Sequence, residues 1–193
     1  MADPSYIDSA GVLTDGEAWI GLGSTALTSS ASAVTFTSTN DGQVGDWSQY
    51  LDLMVIWYGR SDRSSTNNDC IIRFNNDTGS NYAIQLYSGS GASANPYGAT
   101  TTFAYLGDLP AANSTANHMS AGVATIFDVN SGKFKSLLSH SAKDSSGSGY
   151  VSMFVGTWNN QAPITEIDIM ASGNNFVSGT VIDLFGVLPR MVS

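Results

Sequence analysis

The sequence predicts an all-β fold, a two-sheet antiparallel β-sandwich of jelly-roll-like form, preceded by an extended N-terminal arm. Three observations lead there. Ser, Thr, Asn and Gly supply 28, 16, 14 and 20 of the 193 residues, and these are weak helix formers that favour turns. Short runs rich in β-branched and aromatic residues recur along the chain between clusters of Ser, Asn, Gly and Asp. No window of about twelve residues carries an apolar stripe at helical spacing.

Residues 1–17 form the first unit. They are acidic and hold isolated apolar side chains, Tyr6, Ile7, Val12 and Leu13, with no sustained periodicity. An extended docking arm is expected, with those four residues as its contacts. The segment has neither the basic start nor the apolar centre of a signal peptide.

The sandwich is expected over residues 18–193. Its strand-forming runs are 18–22, 33–37, 50–58, 69–74, 82–87, 100–106, 122–129, 134–139, 150–158, 164–170 and 181–187. In 33–37, Val34 and Phe36 oppose Ala33, Thr35 and Thr37. In 164–170, Thr165, Ile167 and Ile169 oppose Ile164, Glu166, Asp168 and Met170. Such alternation marks strands with one face on a core and the other on solvent. Residues 109–119 leave room for one short helical turn.

The breaks carry turn chemistry. Asn40-Asp41-Gly42, Asn75-Asn76-Asp77-Thr78-Gly79, Ser88-Gly89-Ser90-Gly91, Ser145-Ser146-Gly147-Ser148-Gly149 and Ser172-Gly173-Asn174-Asn175 supply residues that tolerate positive φ or bond their own backbone. No fixed-period repeat is present, which weighs against a propeller or solenoid.

Charge narrows the function classes. Seven Lys and Arg face sixteen Asp and Glu, a net charge of −9. Nucleic-acid binding through a basic footprint is not expected, because phosphate contacts need cations. No apolar run approaches the roughly 18 residues of a membrane helix, so no membrane partner is expected. Cys70 is the single cysteine and reads as a small buried residue.

A search for chemistry yields no constellation. His118 and His140 are the two histidines, and neither has a carboxylate or the cysteine at a metal-ligand spacing. Oxygen-rich stretches at 41–42, 62–69 and 75–77 could meet Ca²⁺, without EF-hand spacing. No Ser has Gly at both i±2 positions, so a nucleophile elbow is absent. Asp77-Thr78-Gly79-Ser80 matches the aspartic-protease triplet, but a second copy is lacking and two carboxylates are needed. It reads as a turn between strands. Glu17 and Glu166 are the two glutamates. Glu166 and Asp168 share a strand face, as solvated charges do. No catalytic residue, cofactor or metal is expected. Among the tryptophans, Trp57 reads as core, Trp47 sits beside a loop, and Trp158 ends a strand before a loop.

The chain resembles a family of bacteriophage virion proteins common in aquatic phages. The likeness runs through Trp19-Ile20, Leu27-Thr28-Ser29 and Val34-Thr35-Phe36. It continues in Tyr50-Leu51-Asp52-Leu53, Arg60-Ser61 and the run Ile72-Arg73-Phe74-Asn75-Asn76-Asp77-Thr78-Gly79-Ser80-Asn81-Tyr82. Leu86-Tyr87-Ser88-Gly89-Ser90-Gly91, Leu106-Gly107, Trp158, Ala162-Pro163-Ile164-Thr165, Asn175-Phe176, Gly179-Thr180 and Leu184-Phe185-Gly186 complete it. The stretch from Phe74 to Tyr82 is the most specific. Pro189-Arg190-Met191-Val192-Ser193 extends past the end of that pattern, as a further contact arm would.

The resemblance implies a non-enzymatic protein, made in the host cytoplasm, that decorates or cements the outer surface of a capsid. It implies the major capsid protein or other virion proteins as partners, and a homotrimer. The alternative is a receptor- or glycan-binding module of a head or tail fibre, with a host surface glycan on an exposed aromatic such as Trp158 or Tyr97. A polysaccharide depolymerase is a third class, disfavoured by the scarcity of glutamate and histidine.

Overall fold

The structure, a computed structural model, describes residues 19–91, 93–144 and 149–188. The expected arm, with Tyr6, Ile7, Val12 and Leu13, lies outside the described residues, as does the tail from Pro189 onward.

The described residues hold twelve strands. They are β1 (Trp19–Ala26), β2 (Ala33–Thr37), β3 (Asp52–Gly59), β4 (Asn67–Phe74), β5 (Tyr82–Gly89), β6 (Ala94–Thr101), β7 (Ala104–Pro110), β8 (Ser120–Phe127), β9 (Lys135–Lys143), β10 (Tyr150–Trp158), β11 (Glu166–Ala171) and β12 (Val181–Val187). A 3-10 turn, Trp47–Gln49, follows Asp46, whose carboxylate accepts from the Ser48 and Gly42 amides at 3.0 Å.

The strands form two antiparallel sheets, one of eight in the order β1-β12-β3-β8-β9-β10-β5-β6 and one of four, β2-β11-β4-β7. With the hairpins β5–β6 and β9–β10 set aside, the other strands pair as a long hairpin folded on itself. In it β1 meets β12, β2 meets β11, β3 meets β8 and β4 meets β7. Wrapped this way, they make the sheets β1-β12-β3-β8 and β2-β11-β4-β7, the jelly-roll arrangement. The two hairpins are insertions. They pair with each other through β10 and β5 and widen one sheet beyond β8.

The core lies between the sheets. Leu53, Val55 and Trp57 of β3 and Ala124 and Ile126 of β8 meet Ile167 and Ile169 of β11, Cys70, Ile72 and Phe74 of β4, and Leu106 of β7. Trp57 sets the spacing. A Cβ on Gly122 would stand 2.5 Å from its indole, and one on Gly107 would stand 2.5 Å from both Trp57 and Ser141. Strand β7 thus lies close over β9 and β10. That closeness explains the small hydroxyl residues facing inward there. Ser139 Oγ donates to the Leu106 carbonyl, and Ser152 Oγ donates to Asp108 Oδ2 at 2.8 Å. Cys70 is fully buried, and burial pushes its thiol pKa up.

Three sequence expectations are corrected. The run 100–106 is two strands, because the chain bends at Thr102-Phe103 between β6 and β7. β6 has no apolar alternation and contains Pro96, which an edge strand tolerates because its outer N–H groups need no partner. No helical turn forms at 109–119. Strand β7 runs through Pro110, and the following turn is held by Arg60 instead. Ile164 does not share a face with Glu166, since β11 begins at Glu166 and Ile164 is fully buried.

Candidate assembly surface

Few cations are left for the surface. Arg60, just after β3, donates from Nη1 to the carbonyls of Thr115 (2.8 Å) and His118 (3.0 Å). From Nη2 it donates to those of Ala111 (2.7 Å), Ser114 (3.0 Å) and Ala112 (3.4 Å). Lys135 is sealed just beneath the surface, its Nζ on the carbonyls of Ser131 and Lys133 at 2.6 Å. Lys143 is buried, bonds Asn67 Oδ1 and lies 5.0 Å from the Tyr150 ring centre. Burial lowers both lysine pKa values. These cations hold carbonyls and amides, and the acidic residues dominate what solvent meets.

The loop aspartates are likewise committed. Asp77 accepts from Trp158 Nε1 (2.7 Å), Asn81 Nδ2 (2.9 Å) and the Gly79 amide (2.9 Å). Asp62 accepts from the Asn175 amide (2.9 Å) and Nδ2 (2.8 Å). Burial raises the Asp77 pKa, but its donors outweigh that and lower it on balance; for Asp62 the Asn175 donors lead and lower it. The oxygen-rich stretches therefore serve as turn locks. The Asp77-Thr78-Gly79-Ser80 segment forms a turn entered through Asn75 and Asn76, both at positive φ.

Carboxylates approach one another where the sequence did not point. Asp69 of β4 is the cross-strand partner of Asp108 of β7. Burial first, then the Asp108 charge, raises the Asp69 pKa. Their pairing depends on strand register, which the linear sequence does not display. The expected pair behaves differently. Asp168 accepts from Thr35 Oγ1 at 2.6 Å and Glu166 bonds Asn76. His118 lies in the turn that Arg60 holds, and His140 faces outward on β9. Among the described residues, no three His, Cys, Asp or Glu side chains gather as a metal site would need. A polar depression of about 730 Å³ lies by β4 and β11, lined by Arg73, Asp62, Asn174 and Asn175. There Arg73 Nε is bonded to the Thr102 carbonyl at 3.1 Å and Asp62 to Asn175.

Trp158 is 1% exposed, so it offers no sugar platform. It meets Phe74 and Tyr82 in an aromatic knot, with ring centres 5.6 and 6.5 Å away. Trp47 and Trp57 are buried as well, and Tyr97 stands out on β6 at 52% exposure.

The outward face of the eight-stranded sheet is the distinctive surface. Cross-strand register aligns Ile56, Val123, His140, Met153 and Tyr87 across β3, β8, β9, β10 and β5. A parallel row carries Phe185, Met54, Thr125, Leu138 and Val155 across β12, β3, β8, β9 and β10. A third carries Tyr58, Ala121, Ala142 and Val151. Trp19 on β1 extends the apolar face against Phe185, ring centres 6.4 Å apart, and Phe127 on β8 borders it. Among the described strand residues of this face there is no Lys, Arg or Glu. Its acidic members are Asp183 and Asp52, towards the β12 side. Sequence reading missed it, although β10 carried the signal. Val151, Met153 and Val155 alternate with Ser152, Phe154 and Gly156, so apolar groups stand on both faces, and the valines are the exposed set.

Comparison with protein-family models, with curated proteins and with solved structures finds no match to this chain. Among the described residues no helix is long and apolar enough to cross a membrane.

Proposed function

We propose that this chain is a non-enzymatic structural protein of a bacteriophage virion, made in the host cytoplasm, that decorates or cements the outer capsid surface as a homotrimer. The observation that carries the reading is the outward face of the eight-stranded sheet. An exposed antiparallel face is ordinarily polar, whereas here registered rows of Val, Ile, Met and Tyr stand in solvent. Such a surface suits assembly.

Two further features support it. The Phe74–Tyr82 stretch, which most specifically resembles phage virion proteins, builds the aromatic knot and turn at one end of the sandwich. Arg60, Lys135 and Lys143 are drawn into the fold. With sixteen Asp and Glu against seven Lys and Arg, the exterior is anionic on balance, which suits dense display beside packaged DNA. In this reading residues 1–17 fasten to the capsid or to a neighbouring copy through Tyr6, Ile7, Val12 and Leu13, and the sandwich projects outward.

The test is the position and copy number of the protein in virions, by cryo-electron microscopy and quantitative mass spectrometry. Hundreds of copies over the head are expected. A handful at a vertex or tail tip would overturn decoration in favour of a fibre or receptor-binding role. That second reading draws on exposed Tyr97, and glycan-array binding abolished by Tyr97→Ala would support it.

A further inference from the structure

We infer that the outward face of the eight-stranded sheet is the contact between copies of this chain. This deepens the assembly reading above, on which it rests, by naming the face and its occupant.

The area is sufficient. Aromatic side chains each carry on the order of 150–250 Å², and aliphatic ones about the lower end of that range. Taken at their exposed fractions, Trp19, Ile56, Tyr58, Tyr87, Val123 and Phe127, together with the outward valines and methionine of β10, offer roughly 700–800 Å². The largest patch on a typical monomer is about 300–600 Å². One partner of a stable standard interface contributes about 800 Å².

The strand chemistry points the same way. The inserted hairpins supply four of the eight strands, and β9 and β10 carry apolar groups on both faces. Ser139, Ser141 and Ser152 turn inward and are buried, while Leu138, Val151, Met153 and Val155 turn outward. The inward serines are explained by the close approach of β7. Nothing in the core requires the outward valines. Val151, at 71% exposure, is among the least covered of all.

Charge selects the occupant. A partner recognised by its own cations would need carboxylates on this face, and a polyanion would need Lys or Arg. Over β8, β9 and β10 the outward face has neither among the described strand residues, and His140 and Thr125 stand in its rows among the apolar groups. A second copy brings the same rows. Asp183, beside Ile56, and Asp52, beside Val187, lie on the β12 side. Two molecules of net charge −9 can therefore meet with each β12 side against the other's β9–β10 side, without placing like charges in contact.

Analytical ultracentrifugation of the full chain tests this. Wild type is expected to sediment as a multiple of 20.2 kDa. The double variant Val123→Glu, Val155→Glu is expected to weaken association at least about 100-fold, since each buried glutamate lacks a partner. Its circular dichroism and thermal melt should remain those of a folded sandwich, and Asn40→Glu, exposed in the loop after β2 of the smaller sheet, should associate as wild type does. Should the double variant fail to fold, wild-type footprinting decides. Met153 and Tyr87 should be protected from hydroxyl radicals at high concentration and become reactive on dilution. A wild-type monomer at high concentration overturns the inference, as would occur if residues 1–17 covered the face of their own chain or if its occupant were a different protein. So does an oligomer indifferent to both glutamates, or one in which Met153 and Tyr87 stay reactive. An oligomer that dissociates as expected but never attaches to virions leaves this inference standing and removes the capsid reading. A dimer in place of a trimer supports the face and corrects the proposed number.

Discussion

The indole Nε1 of Trp158, at the end of β10, donates a 2.7 Å hydrogen bond to Oδ2 of Asp77, in the turn that leaves β4. β10 belongs to the large sheet and β4 to the small one, so this bond ties the sheets at one end of the sandwich. Tyr82 completes the tie. Its hydroxyl accepts from the Phe74 amide at 3.0 Å, and burial pushes its pKa up to about 12. Asp77→Ala is expected to cost about 2–3 kcal/mol, because a buried indole N–H loses its charged acceptor. Trp158→Phe should cost less than Trp158→Ala. The Asp77→Ala, Trp158→Phe double variant should lose less than the sum of the single losses. Urea denaturation read by fluorescence of the remaining tryptophans and by circular dichroism checks this, and strict additivity would count against the bond.

The lowered pKa values of Asp46, Asp62 and Asp77 set the acid response. A carboxylate whose folded pKa is below its ordinary 3.8 contributes stability that is complete above that value and lost as pH falls through the folded pKa. Stability should therefore fall steeply below about pH 4. Asp69 has the opposite sign. Its raised pKa means that the folded state takes up this proton first, so the penalty from Asp69 fades as pH falls towards 4. Asp69→Asn should remove that penalty at neutral pH and gain up to about 1 kcal/mol, the scale of a like-charge cross-strand pair. Thermal melts from pH 7 to pH 3 on wild type and Asp69→Asn read both effects.

Gly107→Ala and Gly122→Ala should each cost about 3 kcal/mol, at the upper end of ordinary overpacking. Each new methyl would stand 2.5 Å from the Trp57 indole, which is pressed between the sheets and cannot swing away. Gly132→Ala, with no atom within 4 Å of the added carbon, should be neutral. Chemical denaturation of the three variants makes the comparison, and an unperturbed Gly122→Ala would mean that the indole has room to move.

Removal of residues 1–17 should leave the sandwich folded, because among the described residues strand pairing begins at Trp19. The proposed function expects the truncated protein to lose attachment to undecorated capsids. Co-sedimentation with such capsids decides it, and retained binding would place the attachment elsewhere on the chain.

The sandwich was legible because most of its strands carry their own alternation. Val34 and Phe36 turn inward on β2, and Ile167 and Ile169 do so on β11, as period two requires. β6 was illegible because its structure comes from pairing with β5 rather than from its own residues. The two-sided strands β9 and β10 show a different limit. Alternation says that two faces differ, but not which one meets the core. A serine faces inward when a neighbouring backbone is close enough to accept its hydroxyl, and that closeness is tertiary. The Asp69–Asp108 encounter was hidden for the same reason, since register across two strands decides it. The expected arm contacts Tyr6, Ile7, Val12 and Leu13 stand outside the described part of the chain.

The pairing of β1 with β12 has a mechanical consequence. Trp19 faces Val187 across adjacent antiparallel strands, so the sandwich is entered and left at one corner. Tension applied between those two points would open this pair one bond at a time, like a zipper, and not shear all its bonds together. Tension applied through the entering strand alone meets the same easy geometry, because β1 is the outermost of the described strands in its sheet. A particle held through that corner would peel before it tore, with the wrapped core beyond β3 keeping its shape.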